Sequence, residues 1–387
     1  MTKQTHIARG SLGIYIHVPF CKKKCKYCDF YSVAGADSAK MDAYADALVR
    51  HIGEYALSMA GYTVDTVYFG GGTPSVLGEK RLGRILKALR RACTVSKSAE
   101  ITCEANPESS EKKLFSALRH AGVNRLSLGV QSASDEELGT LGRLHTFGQA
   151  AQAVSAAREA GFQNVSLDFM YGLPGQDTAG ALASLEKIMA LSPEHISCYC
   201  LKLEEGTPLC REAPVLPDDD EQADMYLAIV DLMEKNGYGQ YEISNFAKRG
   251  YASRHNTRYW KLEEYLGFGP GAHSFFGGRR FSYKRDLGAY LEGSDILDEI
   301  EETPDERRVG EYLVLRLRLS EGVDGEEYYR RFRRDFSPIE HVLESYRAPG
   351  YTRRTGMRWA LTPQGMFVSN AIICQVLEAL EQAPDTM

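Results

Sequence analysis

Three cysteines lie close together near the start of the chain, in the run FCKKKCKYCDF. Cys21, Cys25 and Cys28 form a C-x3-C-x2-C array. Thiolates are soft ligands that suit zinc or iron–sulfur clusters. Because a structural zinc ion usually takes four ligands, zinc would have to recruit His17 or a distant cysteine. An iron–sulfur cubane held by three thiolates keeps one iron free for a further ligand, and three thiols without any metal are the remaining alternative.

Glycines and polar residues follow four further β-rich runs. The run GGGTP, which contains Gly71, Gly72 and Thr73, comes after the second β-rich run. Glycines allow a backbone to approach a bound ligand closely, although the same run also makes an ordinary turn with a proline stop. A single glutamate at the end of a strand is more often paired than a ligand. The next three β-rich runs end at acidic or amide side chains, namely Glu104, Gln131 and Asp168.

Six short β-rich runs alternate with helical stretches over the first half of the chain. The predicted strands lie at 14–18, 66–69, 100–104, 125–130, 164–169 and 195–201. The predicted helices lie at 42–55, 79–91, 111–120, 149–159 and 179–191. Strands that alternate with helices form a parallel sheet, so we expect an α/β fold with an open sheet or an incomplete (β/α)6 barrel. In both architectures ligands bind at the carboxyl ends of the strands, where the cysteines and the four other features meet.

The second half of the chain loses this alternation. An acid- and proline-rich connection leads to a helix that ends near Lys235, and a mixed aromatic segment follows. The run MRWALTPQGMFVSN predicts a strand and then a helix with Thr362 as N-cap and Pro363 at its first position. We therefore expect a small α+β C-terminal domain that resembles a winged helix. The predicted organisation is an N-terminal extension over 1–12, a barrel with its adjoining helix over 13–240, a connecting region over 241–302 and the C-terminal domain over 303–387.

Composition narrows the classes of partner. The 387 residues include 46 basic and 52 acidic side chains, and the net charge of −6 argues against nucleic acid or an anionic membrane as the main partner. The arginines of YYRRFRRDF have acidic neighbours, which favours a solvated surface over a nucleic-acid site. No apolar run reaches the roughly 20 residues of a transmembrane helix, and we recognise no signal peptide. Nine cysteines, an odd number, indicate a reducing compartment, so we expect a cytoplasmic protein.

The cysteine array resembles that of the radical S-adenosylmethionine (SAM) superfamily. The shared features are the C-x3-C-x2-C spacing after the first strand and an aromatic residue, here Tyr27, before the last cysteine. The resemblance implies a [4Fe–4S] cluster on Cys21, Cys25 and Cys28, with the fourth iron chelated by the amino and carboxylate groups of SAM. It also implies a radical-SAM partial barrel, in which the glycine run contacts the amino group of the methionine moiety.

Further motifs narrow the resemblance to the coproporphyrinogen III dehydrogenase family and its haem-chaperone branch, HemW. They are YIHVPFCKKKCKYCDF, YFGGGTPS, EANP, LSLGVQS, LGRLHT and LDFMYGLPGQ, with LRLSEGVD and LTPQGMFVSN in the C-terminal domain. The similarity extends from about Gly13 to the end of the chain. Without this resemblance, the sequence would suggest that Arg143 is an ordinary surface charge. The resemblance implies that SAM is bound by Tyr15, Gly71, Gly72, Thr73, Glu104, Gln131, Arg143 and Asp168.

Two features favour the HemW branch. The dehydrogenase pattern continues to a fourth cysteine, and this chain has Phe30 at that position. The run HNTRYW matches the H-N-x-x-Y-W motif of the HemW branch, and its His255 is the implied haem ligand. Imidazole is a common axial ligand of haem iron. A histidine beside tyrosine and tryptophan is nevertheless more often a partly buried, hydrogen-bonded side chain. His273 in GFGPGAHSFF is a weaker candidate for the haem ligand.

The resemblance implies two functions, of which the first is the leading prediction and the second is the alternative. The first is a haem chaperone that binds haem, a [4Fe–4S] cluster and SAM and delivers haem to client haem proteins, with respiratory enzymes as the expected class. The second is the oxygen-independent oxidative decarboxylation of coproporphyrinogen III to protoporphyrinogen IX, for which the cofactor supplies the radical chemistry. A radical enzyme that modifies RNA is disfavoured by the net charge. Whether SAM is cleaved stays open, and the resemblance allows for a homodimer.

Overall fold

The computed structural model describes residues 10–294, 296–302 and 305–382, so most of the extension predicted for 1–12 lies outside the described residues. The strands, in chain order, are β1 (Gly10–Val18), β2 (Phe20–Cys21), β3 (Val33–Ala34), β4 (Tyr62–Gly71), β5 (Thr94–Ala105), β6 (Arg125–Gln131), β7 (Val165–Tyr171), β8 (His195–Cys200), β9 (Gly239–Glu242), β10 (Asn245–Ala247), β11 (Tyr265–Phe268), β12 (His273–Phe276), β13 (Arg279–Tyr283), β14 (Leu297–Glu302), β15 (Val323–Asp324), β16 (Thr352–Thr355) and β17 (Arg358–Leu361).

Helices connect most of these strands. They are α1 (Ser38–Glu54), α2 (Glu79–Ala92), α3 (Lys112–Ala121), α4 (Asp135–Thr140), α5 (Phe147–Glu159), α6 (Thr178–Ala190), α7 (Pro208–Glu212), α8 (Asp219–Lys235), α9 (Arg254–Trp260), α10 (Leu287–Glu292), α11 (Asp305–Arg316), α12 (Gly325–Phe332), α13 (Ser337–Ser345), α14 (Pro363–Phe367) and α15 (Ser369–Gln382). Within the described ranges, none of the helices is both long enough and apolar enough to cross a bilayer.

A large curved sheet organises the first three quarters of the chain. Its strand order is β14-β13-β12-β11-β1-β4-β5-β6-β7-β8-β10-β9. The stretch from β11 to β8 is parallel throughout, as the alternation of strands and helices predicts. In the described part of the chain, β14 and β9 are the edges of this sheet, so the barrel is incomplete. The predicted α/β fold with an incomplete (β/α)6 barrel is confirmed.

All six predicted strands and all five predicted helices are present, and several begin earlier than the sequence suggests. Helix α1 begins at Ser38 because the Asp37 side chain accepts a hydrogen bond from the Lys40 amide at 2.8 Å and so caps an extra turn. Strand β5 begins at Thr94, where it pairs with Thr63 of β4. Pairing between distant strands extends β5 through polar residues that have weak strand propensity of their own.

The segment predicted as a connecting region continues the main sheet. Strand β11 pairs in parallel with β1, and β12, β13 and β14 follow it as an antiparallel meander. At the opposite flank, β10 pairs with β8 and β9 pairs with β10. The predicted boundaries at 241 and 303 stay predictions, while the strands show that this segment flanks the six-stranded core on both sides.

A separate α+β domain follows, as predicted. Its three-stranded antiparallel sheet has the order β15-β17-β16 and packs with helices around the fully buried Trp359. Thr362 caps α14 by accepting a hydrogen bond from the Gly365 amide at 3.1 Å, and Pro363 is the first helical residue. A small sheet with helices of this kind agrees with the predicted winged-helix-like domain.

Helix α9 closes the base of the barrel, at the end opposite to the carboxyl ends of the strands. The buried Arg258 forms an ion pair with Asp65 of β4 and donates to Ser11 Oγ of β1 at 3.2 Å. The backbone amide of His255 donates to Glu100 Oε1 of β5 at 3.1 Å. These contacts place the HNTRYW segment beneath the barrel interior.

Candidate functional site

A cavity of about 510 Å³ opens at the carboxyl ends of β4 to β8. Its size lies within the roughly 300–1,000 Å³ range that is typical of small-molecule sites. The cysteine loop forms one wall, and the ends of the strands form the floor. Ten of the twelve predicted site residues line it, namely Cys21, Cys25, Cys28, Gly71, Gly72, Thr73, Glu104, Gln131, Arg143 and Asp168.

The three cysteines of the loop are free thiols that are partly exposed to the cavity. Thr73 Oγ1 donates to Cys21 Sγ at 3.5 Å, and Arg143 Nη1 donates to Cys25 Sγ at 3.4 Å. Burial raises the pKa of Cys28, and the neighbouring thiols Cys25 and Cys21 raise it further. The thiols of Cys25 and Cys21 therefore lie close enough to Cys28 to affect it electrostatically.

The donor set fits a group held by three thiolates. Among the described residues, no three His, Cys, Asp or Glu side chains are arranged to hold a single metal ion. The histidine nearest the cysteines, His17, has both ring nitrogens engaged. Its Nδ1 lies 3.1 Å from the Tyr15 hydroxyl, and its Nε2 lies 2.9 Å from the carbonyl oxygen of Tyr31. Coordination of zinc by His17 would therefore require one of these two contacts to break.

The glycine run packs directly against the chain that leads into the cysteine loop. The amides of Gly72 and Thr73 donate to the carbonyl oxygens of Val18 and Phe20 at 2.8 and 2.7 Å. A Cβ at Gly72 would lie 2.6 Å from the Phe20 oxygen, so only glycine fits there. Gly71 has a φ of 106°, a conformation that favours glycine. The run thus fixes the cysteine loop on the end of β4.

Two carboxyl groups form the floor of the cavity. Burial raises the pKa of Glu104 to about 7, and the charge of Asp168 contributes to the increase. The Tyr68 hydroxyl donates to Glu104 Oε1 at 2.7 Å, and this hydrogen bond partly offsets the increase. Burial also raises the pKa of Asp168 to about 6, against hydrogen bonds from Ser197 and Ser127. Carboxyl pKa values near neutrality are typical of binding and catalytic sites.

Gln131 and Arg143 are held in constrained positions in the cavity lining. Gln131 adopts a φ of 69°, which is rare for a residue with a side chain and is often found at functional sites. Arg143 Nη2 donates to Asn106 Oδ1 at 2.8 Å and to the Gly129 carbonyl oxygen at 2.6 Å. Its Nε is buried without a hydrogen-bond partner. Such an arginine is a positioned cation and not the surface charge that its sequence context alone suggests.

The other two predicted residues, Tyr15 and His255, do not line this cavity. The imidazole of His255 is 1% exposed. Its Nδ1 lies 2.9 Å from Thr66 Oγ1 and its Nε2 lies 2.7 Å from the Tyr259 hydroxyl, so both nitrogens are hydrogen-bonded. Burial lowers the pKa of His255 to about 3, so the ring is neutral at pH 7. In this conformation His255 is a buried, hydrogen-bonded side chain, which is the alternative to a haem ligand that the HNTRYW run allows.

Tyr15 lies between the cavity and the base of the barrel. Its ring stacks on Tyr68 and His255, with centroids 6.3 and 6.5 Å apart. Its hydroxyl lies 3.1 Å from His17 Nδ1, and the residue does not line the cavity. His273, the weaker haem candidate, is exposed on β12. The SAM role of Tyr15 and the haem role of His255 stay predictions.

Several lining residues were not predicted, although strand periodicity contains a signal for them. Alternate residues of a strand share one face. Ser127 and Gly129 precede Gln131 at this spacing, and Met170 follows Asp168. The residues at the mouth of the cavity follow no such pattern because loops supply most of them; they include Lys23, Lys24, Tyr199 and Lys202.

Comparisons with known proteins show the family to which the chain belongs. The family model described as "Radical SAM superfamily" matches residues 15–188, and the model described as "HemN C-terminal domain" matches residues 304–368. "Heme chaperone HemW" of Escherichia coli (strain K12) is 35% identical over 367 residues, which cover 94% of this chain and 97% of the relative. "Heme chaperone HemW" of Bacillus subtilis (strain 168) is 35% identical over 369 residues, which cover 92% of this chain and 97% of the relative.

A solved structure supports the fold. Coproporphyrinogen III oxidase (HemN) from Escherichia coli, described as a radical SAM enzyme, has a TM-score of 0.84 over 98% of this chain and 92% of that chain. Its sequence identity is 22%, so this likeness concerns the fold alone. The near full-length similarity to the HemW relatives confirms the resemblance seen in the motifs. The chain belongs to the HemW family within the radical SAM superfamily.

Proposed function

We propose that this protein is a haem chaperone that binds a [4Fe–4S] cluster, SAM and haem and delivers haem to client haem proteins. The observation that supports it best is the convergence of ten predicted cofactor residues on one cavity at the carboxyl ends of the barrel strands. Relatives that are named heme chaperones and are 35% identical over nearly the whole chain favour haem as the cargo.

Cys21, Cys25 and Cys28 would hold the cluster through their thiolates. When bound, such a cluster supplies an iron with an open coordination position and a source of one electron. The guanidinium of Arg143 donates a hydrogen bond to Cys25 Sγ at 3.4 Å and so orients this ligand. Thr73 orients Cys21 by the hydrogen bond to its sulfur atom.

The floor would bind SAM by charge complementarity. SAM carries a positive sulfonium and a positive amino group, and the ionised carboxylates of Glu104 and Asp168 attract both. The carboxylate of SAM needs a cation, which Arg143 offers beside the cluster ligands. We assign Gln131 to a neutral part of SAM because its amide carries no charge and its strained backbone directs it into the cavity.

The haem role of His255 is also proposed, with a structural condition. Because both ring nitrogens are hydrogen-bonded, coordination of iron by His255 requires that α9 gives up the bond to Thr66 or the bond to Tyr259. We further propose that the protein works in the cytoplasm, where its nine free cysteines would stay reduced, that respiratory haem proteins are its clients, and that it can form homodimers.

Anaerobic reconstitution tests the cluster. We expect about four iron and four sulfide ions per wild-type chain by the cluster type proposed, and loss of most of this iron in Cys21→Ala, Cys25→Ala or Cys28→Ala. Cys374→Ala is the matched control, because Cys374 is an exposed cysteine of the C-terminal helix α15. Equal iron content in all variants would contradict the assignment of the cluster ligands.

Transfer of haem tests the function itself. Reconstituted protein loaded with haem is mixed with an apo haem protein whose Soret band differs, and the transfer is followed by absorbance. We expect transfer that is faster than from free haem or from haem-loaded albumin. If transfer is not accelerated and the protein converts coproporphyrinogen III to protoporphyrinogen IX without oxygen, the protein is a dehydrogenase and not a chaperone.

A further inference from the structure

We propose that the mouth of the cavity is a binding site for the ring and propionate groups of haem, formed around Phe30, Tyr199, Lys23 and Lys24. This inference rests on the proposed function, because it takes haem as the cargo. It differs from the predicted iron ligand His255, since the mouth would recognise the porphyrin and not the metal.

The mouth exposes apolar surface that the fold does not need. Phe30 is 68% exposed, although burying a phenylalanine side chain contributes roughly 1.5–3 kcal/mol to folding. Tyr199, on the end of β8, is 41% exposed and lines the same cavity. Two large aromatic side chains around one opening form an apolar patch, which is more informative than a single exposed side chain. A flat porphyrin ring can stack on such side chains.

The segment that carries Phe30 is anchored on both sides. The carbonyl oxygen of the next residue, Tyr31, lies 2.9 Å from His17 Nε2. The Tyr31 hydroxyl accepts a hydrogen bond from the Leu287 amide at 2.7 Å. On the other side, the Cys28 amide donates to the Cys25 carbonyl oxygen at 3.3 Å. The aromatic ring is therefore presented on a fixed loop, so that ordering this segment costs little when a ligand binds.

Lysine side chains lie beside the apolar surface of the mouth. The cysteine loop has four lysines, and two of them make contacts away from the mouth: Lys22 with the Glu108 carbonyl oxygen and Lys26 with the Glu212 carboxylate. Lys23 and Lys24 line the cavity, and within the described residues neither has an ion-pair partner. Two free ammonium groups beside an apolar patch match a ligand with two carboxylates on one edge of an apolar ring.

The floor and the mouth of the cavity have different chemistry. Glu104, Asp168 and Gln131 make the floor polar, which suits SAM and not a porphyrin ring. The exposed aromatic rings of Phe30 and Tyr199 and the two lysines belong to the mouth. His255 stacks on the rings of Tyr68 and Tyr15, is buried, and does not line the cavity. The mouth is therefore the part of the site that offers haem both contact area and charge.

The test uses metal-free protoporphyrin IX, which has the ring and the propionates but offers no iron to a histidine. Its binding to the cluster-reconstituted protein is measured by the quenching of porphyrin fluorescence. We expect saturable binding that weakens about tenfold in Phe30→Ala and about fivefold in the double variant Lys23→Gln/Lys24→Gln. Binding to the wild type should also weaken with added salt, and this dependence should be smaller in the double variant.

Matched controls exclude general effects of the substitutions. Leu57→Ala removes another exposed apolar side chain, just beyond the end of α1, and Lys80→Gln/Lys87→Gln removes two exposed lysines of α2. We expect both controls to bind protoporphyrin IX like the wild type. Iron content is measured in every variant, so that weaker porphyrin binding is not confused with loss of the cluster.

The outcomes separate the site from the function. The mouth site is overturned if the protein binds haem but not protoporphyrin, or if Phe30→Ala and the double lysine variant both bind protoporphyrin like the wild type. Either result leaves the proposed chaperone function intact. A wild-type protein that binds neither haem nor protoporphyrin saturably overturns the proposed function as well. Selective loss of binding in the mouth variants, with binding retained in His255→Ala, supports the inference.

Discussion

The ring of Tyr68 stacks on the imidazole of His255, with centroids 5.2 Å apart and planes inclined by 25°. The hydroxyl of the same tyrosine donates to Glu104 Oε1 at 2.7 Å. One side chain therefore contacts both the HNTRYW segment at the base of the barrel and the floor of the cavity. Because packed aromatic rings move little without their neighbours, we expect substitutions at His255 to affect the position of Glu104.

Glu104 should make the binding of SAM depend on pH. Burial raises the pKa of Glu104 to about 7, so the carboxyl group loses its charge as the pH falls below 7. SAM is a cation at its sulfonium, and we expect its affinity to decrease about tenfold between pH 8 and pH 6. Equilibrium dialysis of labelled SAM against reconstituted protein measures this change. In Glu104→Gln the affinity should be lower at pH 8 and nearly flat between the two values.

The same group should affect the stability of the ligand-free protein in the opposite sense. A carboxyl pKa that is higher in the folded state than the usual 4.5 means that folding takes up a proton between about pH 4.5 and 7. Its contribution to the free energy of unfolding is present below that range and is lost as the pH rises through 7. Lowering the pH from 8 to 5.5 should therefore raise the urea midpoint of the wild type relative to that of Glu104→Gln. A constant difference would contradict a raised pKa.

Replacing Gln131 by glycine should stabilise the fold and weaken the binding of SAM. A side chain at a φ of 69° costs roughly 1–3 kcal/mol, and glycine relieves this cost. We expect the free energy of unfolding to rise by about 1 kcal/mol after the extra chain entropy of glycine is subtracted. Urea denaturation and SAM dialysis measure the two effects.

Ser192→Gly is the matched control for Gln131→Gly. Ser192 has a φ of 55° and is exposed after α6, outside the cavity. We expect a similar gain in stability without a change in SAM affinity. If Gln131→Gly retained full SAM affinity, the strain at this residue would have no role in binding.

Substitution of His255 should be costly whether or not it binds haem. His255→Ala leaves a cavity and removes the partner of the Thr66 and Tyr259 hydroxyls, so we expect a loss of about 3 kcal/mol in the free energy of unfolding. His273→Ala, at an exposed histidine, should change it by less than about 0.5 kcal/mol. A haem Soret band that shifts in His255→Ala and not in His273→Ala would support ligation by His255. Identical bands in all three proteins would count against it.

Arg143→Lys should weaken SAM binding despite keeping the charge. The guanidinium contacts Cys25 Sγ, Asn106 Oδ1 and the Gly129 carbonyl oxygen together, which one ammonium cannot do. We expect about a tenfold loss of SAM affinity, equivalent to roughly 1.4 kcal/mol, measured by dialysis at equal iron content. Arg81→Lys, at a surface ion pair with Asp42, is the control and should bind SAM normally. Equal affinities in the two variants would show that the fork geometry of Arg143 is unimportant.

Much of the cavity could be predicted from the sequence because parallel strands bring their carboxyl ends to one rim. Glu104, Gln131 and Asp168 are far apart in sequence, yet each ends a β-rich run, and the fold then determines that they meet. Resemblance was needed for Arg143, whose loop position has no periodic signal.

The location of His255 could not be predicted in the same way. The composition of HNTRYW is compatible with a haem ligand, although a buried, hydrogen-bonded histidine is the commoner case. Nothing in its spacing tells at which end of the barrel it lies. Its place depends on distant partners, Glu100 and Thr66, which cap and anchor α9. The exposure of Phe30 is also a tertiary property, since an aromatic residue in a sequence is more often expected inside.

The pairing of β1 with β11 has a consequence for how the chain folds during synthesis. Gly13 pairs with Tyr265, so the first strand obtains its second neighbour only after the ribosome has made residues 265–268. Until then the nascent chain carries the cysteine loop next to an uncovered strand edge, which can pair wrongly with other chains. Contacts of such long sequence separation also form slowly. Insertion of the proposed cluster is therefore expected to carry the least risk of wrong pairing after translation has finished, when β11 covers the edge of β1 and α9 closes the base of the barrel.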